Sequence, residues 1–216
     1  MACDHSAWYS GGARYLREAA QLQLVLVCDA CGAERVQLGR IAYRLQPRCL
    51  VVHLAELTAR ELGLSEEPTA RVRFAAMVCR AGRDQISPEI LNKQGPLTQE
   101  EWTEVRRQPE LAAALLSDVS LDDIREWILC HHERLDGRGY PRGLVGKQIP
   151  LEARILAVAD AYAAMVSDRP HRARRGHQDA CLELVRCAGT QFDAAVVQAF
   201  VAASLRRNPL LLSAAA

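Results

Sequence analysis

Residues 131–172 read HHERLDGRGYPRGLVGKQIPLEARILAVADAYAAMVSDRPHR, and the rest of the chain is best interpreted from this stretch. It opens with two adjacent histidines, His131 and His132. A Gly- and Pro-rich loop of about fifteen residues follows, a length that is uncommon in compact domains and usually marks function. An apolar helix predicted over 151–166 then carries Asp160. Imidazole and carboxylate groups in one segment are typical metal ligands, so the stretch predicts a metal site.

The composition narrows the possible classes of protein. Half of the 216 residues are apolar, which is enough for a full core, and the net charge of +1 gives no reason to expect binding to nucleic acid or membranes. The sequence has no apolar run long enough to span a bilayer and no signal-peptide pattern at its N-terminus. We therefore expect a cytoplasmic protein. Its eight cysteines are then metal ligands or buried small side chains rather than disulfides.

The apolar pattern after Pro47 has a helical period. The predicted helices cover 48–62, 69–81, 98–116, 120–132, 151–166, 176–188 and 193–207. Gly63 is a C-cap candidate, and Thr98 with Glu101 forms a predicted capping box. We predict a mainly α chain in three parts. A small β module over 1–45 precedes a bundle of about seven helices over 46–208, and a flexible tail follows over 209–216.

The N-terminal module is predicted from the β-rich run Leu22–Val27, which leads directly into the sequence CDACG. Two thiolates on a tight turn form the knuckle of a zinc ribbon, and a second pair of ligands is needed to close the site. The predicted structural zinc ligands are Cys3, His5, Cys28 and Cys31. A module this small needs a staple to fold, which favours zinc. The alternative is a redox Cys-x-x-Cys, although no thioredoxin-like βαβ pattern surrounds it.

The stretch at 131–172 closely resembles the HD-GYP family, the bacterial branch of the HD phosphohydrolases that hydrolyses the signalling nucleotide cyclic di-GMP. The triplet Gly139-Tyr140-Pro141 is the one that names the family. Ile90–Thr98, Arg106–Glu110 and Gly189–Asp193 resemble further family segments, so the resemblance covers roughly residues 49–205. It implies an HD-type helical bundle and a metal-dependent phosphodiesterase site.

The resemblance also implies a metal cage that this chain retains only in part. His131, His132 and Asp160 match family ligands, which predicts a residual site for Fe or Mn. The alternative is that both histidines persist only as hydrogen-bonding core residues.

The other ligand positions of the family pattern are replaced. Cys79 and Arg80 stand where the family has its naming His-Asp dyad, and Arg83 and Gln108 replace a Lys and a ligand His. A guanidinium does not deprotonate, so Arg80 would repel a divalent ion and could pair with Asp160 instead. These changes predict a catalytically degenerate site.

The ligand-contact loop matches the family pattern better than the metal cage does. The resemblance implies nucleotide contacts from Asp136, Gly137, Gly139, Tyr140, Pro141, Arg169 and Arg172. Arginine suits a bidentate grip on phosphate. The chain is therefore predicted to bind cyclic di-GMP, or a protein partner such as a diguanylate cyclase domain, rather than to cleave the nucleotide. Against this stands the alternative that the fold simply needs this turn.

Two other functions remain open. The first is an active phosphodiesterase whose metal site is rebuilt with substitutes such as Cys79 or His53. The second is an interaction module that binds no nucleotide.

Overall fold

The computed structural model describes residues 8–16, 21–28, 34–39, 50–83, 85–116, 121–167 and 173–207. Within these ranges the chain is mainly helical, which confirms the predicted fold class. The elements are β1 (Trp8–Leu16), β2 (Gln21–Cys28), β3 (Glu34–Gly39), α1 (Leu50–Glu61), α2 (Glu66–Arg83), α3 (Pro88–Leu91), α4 (Gln99–Arg106), α5 (Gln108–Ala113), α6 (Asp122–Cys130), α7 (Leu151–Val166), α8 (His177–Arg186) and α9 (Ala194–Arg207). None of the helices in this part of the chain combines the length and hydropathy that a bilayer crossing requires.

The three strands form one antiparallel sheet in the order β1-β2-β3, with Val25 opposite Val36. They lie inside the predicted N-terminal module. Cys28 is the last residue of β2, whereas the other predicted zinc ligands, Cys3, His5 and Cys31, lie outside the described residues. The zinc ribbon, the module boundaries and the flexible tail over 209–216 therefore stay predictions.

Two helix ends follow the local chemistry predicted from the sequence. Gly63 after α1 has a φ of +80°, and the N–H of Leu64 bonds to the carbonyl of Ala59 at 3.0 Å, which satisfies a carbonyl of the last turn. Before α4, the N–H of Glu101 bonds to the Thr98 hydroxyl and the N–H of Thr98 bonds to the Glu101 carboxylate at 2.7 Å. This reciprocal pair is the predicted capping box.

The structure differs from the predicted helices in two places. The helix predicted over 98–116 is two helices, because α4 ends at Arg106 and α5 restarts at Gln108. Pro109 has no N–H to donate inside a continuous helix, but it is accommodated in the first turn of a new one. The one-turn helix α3 was not predicted. Nine α-helices thus lie within the described residues, against about seven predicted.

The core of the bundle is built around α2 and α7. Helix α1 packs against α2, α7 and α9, while α2 also packs against α5 and α6. Phe74 of α2, Ile128 of α6, Ile155 of α7 and Phe200 of α9 are fully buried. Gly82 lets α2 approach α5, because a Cβ there would lie 2.4 Å from the Cβ of Ala112. This close packing brings the ends of α2 and α6 and the start of α5 together.

Candidate functional site

The positions that correspond to metal ligands in the family pattern, both retained and replaced, lie around one cavity of about 620 Å³. This volume is typical of small-ligand sites. The end of α2, the segment leading from α3 to α4, the start of α5, the residues after α6 and the middle of α7 form its walls. It is lined by the retained positions His131, His132 and Asp160, by the replaced positions Cys79, Arg80, Arg83 and Gln108, and by Tyr140 of the loop. His53, the other suggested substitute ligand, lies on α1 and is not a lining residue.

His131 is held in one orientation by the backbone. Its side chain is 3% exposed, and Nδ1 lies 2.5 Å from the carbonyl oxygen of Ile128. Because a carbonyl only accepts, Nδ1 carries the proton and donates it, which leaves Nε2 unprotonated in the neutral ring. Burial lowers the pKa of His131, although the nearby Asp160 carboxylate acts in the opposite direction.

His132 takes part in a hydrogen-bond chain with Gln108 and Cys79. The Gln108 amide nitrogen donates to the Cys79 carbonyl at 2.8 Å, so its amide oxygen is the atom that accepts from His132 Nε2 at 2.7 Å. The ring stacks on Tyr140 with centroids 4.9 Å apart. Burial lowers the pKa of His132 well below its usual value, and His131 and Arg83 add to the effect. Both histidines thus hold the hydrogen bonds expected of core residues.

Glu133 fixes the loop that follows. Its carboxylate is 4% exposed and accepts the backbone N–H groups of Arg142, Gly143 and Leu144 at 2.6, 3.1 and 3.0 Å. The N–H of Tyr140 bonds to the carbonyl of His132 at 3.2 Å, and the Tyr140–Pro141 peptide is cis. These bonds place Tyr140 at the cavity.

Of the residues predicted to contact the nucleotide, Tyr140 is the one among those the structure describes that lines the cavity. Asp136 is paired with Arg134, which lowers the pKa of its carboxyl to about 2, and it caps the N–H of Arg138 at 3.1 Å. Gly137 has a φ of +75°, and Gly139 touches the backbone of the preceding turn. The first part of the loop therefore stabilises the turn itself. Arg169 and Arg172 lie outside the described residues.

The cavity carries more positive than negative charge. Arg80, Arg83 and Lys93 line it, against the single carboxylate of Asp160. The pairing suggested between Arg80 and Asp160 is not found, since neither forms an ion pair within the described residues. Arg80 is exposed, whereas Asp160 is half-buried and acts electrostatically on His131, Cys79 and Tyr140.

The described side chains around the cavity offer fewer metal ligands than the family pattern implies. No three His, Cys, Asp or Glu side chains in the described part of the chain come together closely enough to hold a metal ion. Burial, assisted by Asp160, raises the pKa of the Cys79 thiol well above its usual value, which disfavours the thiolate that a metal would bind. The Gln108 oxygen is already taken by His132. The residual Fe or Mn site remains a prediction.

Among the lining residues that were not predicted as site residues, Lys93 offers a charge and Trp102 an aromatic ring. Lys93 lies within the segment Ile90–Thr98 that carried part of the resemblance, and its ammonium pairs with Glu101 at 2.6 Å. Trp102 lines the same cavity with 44% of its surface exposed. The Arg106 guanidinium lies 6.0 Å from the ring centroids of both Trp102 and Tyr140. A tryptophan directly after the capping box was the available signal.

A helical bundle with adjacent histidines, a helical aspartate and a Gly-Tyr-Pro loop around one cavity is the arrangement expected of an HD-type domain. The sequence profile of the family described as HD domain matches residues 28–196, and the chain belongs to that family. The resemblance to the HD-GYP branch is confirmed by the named relatives.

Two curated relatives and one solved structure illustrate the similarity. The cyclic di-GMP phosphodiesterase response regulator RpfG of Xanthomonas campestris is 41% identical over 179 residues, covering 78% of this chain and 47% of that protein. A cyclic di-GMP phosphodiesterase of Thermotoga maritima is 37% identical over 146 residues, covering 66% and 40%. Bd1817, an HDG"Y"P protein from Bdellovibrio bacteriovorus, superposes with a TM-score of 0.56 at 17% identity, covering 70% and 49%, which shows the fold alone. The chain thus spans less than half the length of either curated relative.

Proposed function

We propose that the cavity binds a cyclic dinucleotide, with cyclic di-GMP as the first ligand to test. The observation that carries this proposal is that Tyr140 enters the same cavity as the retained histidines and the cations Arg80, Arg83 and Lys93. The relatives that span the same region are named as cyclic di-GMP phosphodiesterases, which supports this choice of ligand.

The lining offers chemistry for both parts of such a ligand. The half-exposed ring of Trp102 and the ring of Tyr140 are aromatic surfaces on which a purine can stack, and each stacked base is worth about 1–3 kcal/mol. The guanidinium of Arg106 lies 6.0 Å from the centroid of each ring, and such a group can stack on a base or donate to its edge. Arginine side chains at the cavity suit phosphate, which they grip with two parallel hydrogen bonds.

The comparisons favour hydrolysis of the bound nucleotide over binding alone, because the relatives are named as hydrolysing enzymes. Hydrolysis would require the residual site at His131, His132 and Asp160 to recruit Fe or Mn, which would polarise the phosphate and activate water. Binding without hydrolysis is favoured by one observation, the lack of a converging group of metal ligands among the described residues. A protein partner, such as a diguanylate cyclase domain, has no support from the comparisons.

The deciding experiment measures binding and cleavage on the same preparation. Cyclic di-GMP is titrated into the purified chain by calorimetry, and the mixture is then assayed for linear dinucleotide and GMP with Mn²⁺ or Fe²⁺ present. Tyr140→Ala should weaken binding at least tenfold, whereas Val145→Ala, an exposed loop residue outside the cavity, should leave it unchanged. Absence of binding with and without metal would reject the proposal.

Elemental analysis of the same preparation separates the two candidates and tests the N-terminal module. We propose that the module holds one structural zinc through Cys3, His5, Cys28 and Cys31, and Cys31→Ser should remove it. Iron or manganese that stays bound after dialysis, and is lost in His132→Ala, would support hydrolysis. Product formation that requires this metal would establish it.

A further inference from the structure

We infer that Arg80 and Arg83 grip the phosphodiester of the ligand directly, at the positions where the family pattern has its metal-binding Asp and a Lys. The inference rests on the proposed function, because it concerns how the same cavity holds the nucleotide. It assigns the phosphate-binding charge to the protein's own guanidinium groups rather than to metal ions.

The two arginines are positioned to act together. They lie three residues apart near the end of α2, so their side chains emerge on neighbouring points of one helix face. Both line the cavity, and Arg80 is exposed whereas Arg83 is half-buried. Arg83 is close enough to His132 to affect its protonation electrostatically.

Neither guanidinium is occupied by another group within the described residues, where neither donates a side-chain hydrogen bond nor forms an ion pair. The other arginines of α2 behave differently. Arg71 donates to the Asp123 carboxylate at 2.9 Å, and Arg73 lies 3.8 Å from the Glu56 carboxylate. The lining of the cavity therefore includes two guanidinium groups whose N–H donors are available to an incoming anion.

The other charged residues at the cavity do not neutralise the positive charges of Arg80 and Arg83. The Lys93 charge is already compensated by Glu101, whose two carboxylate oxygens lie 2.8 and 2.6 Å from the ammonium. His131 is buried and His132 half-buried, and a ring nitrogen of each is already hydrogen-bonded within the protein. That leaves Arg80 and Arg83 against the single carboxylate of Asp160, which gives an excess of positive charge that attracts a phosphodiester and repels a divalent cation.

The test compares cyclic di-GMP binding with and without metal and with matched arginine variants. Wild-type chain, stripped of loosely held metal with EDTA, is titrated by calorimetry in the presence of EDTA, and again with Mn²⁺ or Fe²⁺ in place of the chelator. Arg80→Gln and Arg83→Gln remove one guanidinium each. Arg73→Gln is the control that makes the same change on the same helix away from the cavity. Arg80→Lys keeps the positive charge but loses the bidentate donor geometry of the guanidinium. Circular dichroism melts establish that each variant is folded.

If the two arginines hold the phosphodiester, the Kd of the wild-type chain for cyclic di-GMP should be unchanged by EDTA and should rise with salt concentration. Arg80→Gln and Arg83→Gln should each raise it about tenfold or more, as for a lost charge-assisted hydrogen bond, with partial recovery in Arg80→Lys and no change in Arg73→Gln. Binding that is lost in EDTA and restored by Mn²⁺ or Fe²⁺ would overturn the inference while the proposed function stands. Folded Arg→Gln variants that bind as tightly as wild type would also overturn it. No binding under any metal condition would reject the proposed function and this inference with it.

Discussion

Replacing Glu133 by Gln tests whether this buried carboxylate is what holds the Gly-Tyr-Pro loop in place. The carboxylate accepts three backbone N–H groups, at 2.6, 3.1 and 3.0 Å, and hydrogen bonds to a charged group contribute about 1.5–3 kcal/mol each. Glutamine retains one carbonyl oxygen, so at least one N–H would face an amide NH₂ group and the remaining bonds would lose their charge assistance. We expect the free energy of unfolding to fall by roughly 3–4 kcal/mol.

Urea unfolding followed by circular dichroism measures this loss. With an m-value of about 2 kcal/mol per M, the transition midpoint should drop by roughly 1.5–2 M. The matched control is Glu126→Gln, because Glu126 binds the guanidinium of Arg142 at 2.6 Å but is 40% exposed, and an exposed pair contributes at most about 1 kcal/mol. If the two variants lose the same stability, or Glu133→Gln loses less than about 1 kcal/mol, the carboxylate does not anchor the loop.

Three further predictions concern the same region. Gly139→Ala should cost about 1–3 kcal/mol in urea unfolding, because its Cβ would lie 2.4 Å from the Glu133 Cα, whereas Gly95→Ala, where a Cβ meets open space, should stay within about 0.5 kcal/mol of wild type. Burial lowers the pKa of His132, so the unfolded chain takes up that proton near pH 6.5 before the folded chain does, and stability should decline below that pH by up to about 1.4 kcal/mol per pH unit. Chelator-treated His132→Gln should show a shallower decline between pH 7.5 and 5.5, and an unchanged slope would contradict the assignment. Restoring the dyad with Cys79→His and Arg80→Asp together should raise the iron or manganese retained after dialysis, and unaltered metal content by elemental analysis would show that these two positions do not control metal binding.

Much of the helical fold could be predicted because the apolar residues keep a helical period over long segments. Helices α1 and α7 begin and end within two residues of their predicted bounds, and Gly63 and Thr98 mark ends that the structure confirms. The break at Arg107 was missed because the apolar pattern continues through it and only Pro109 interrupts the backbone hydrogen bonding. Helix α3 is a single turn, which is too short to show a period.

The candidate site was predicted by residue type and position but not by contact. The structure gathers Cys79, Gln108 and Asp160 around the cavity with both histidines, although they come from three different helices. The spacing of residues in the sequence does not determine which hydrogen-bond or ion-pair partner a side chain has in the folded protein. The possible pairing of Arg80 with Asp160, which the sequence left open, is not seen among the described residues, and the bond from His132 to Gln108 was not foreseen. Those choices depend on tertiary packing.

The hydrogen bonds of Gln108 couple residues of the site that come from different helices. This single amide joins the backbone at the end of α2 to the imidazole after α6, so Gln108→His alone would cut the bond to the Cys79 carbonyl before any metal had been gained. Arg80→Asp alone would add a second carboxylate to a cavity that already holds Asp160, and like charges there repel. Each of these two changes therefore carries a cost of its own before a metal is bound. Positions 80 and 108 are therefore coupled to their neighbours, and a redesign of the cavity would have to change those neighbours with them.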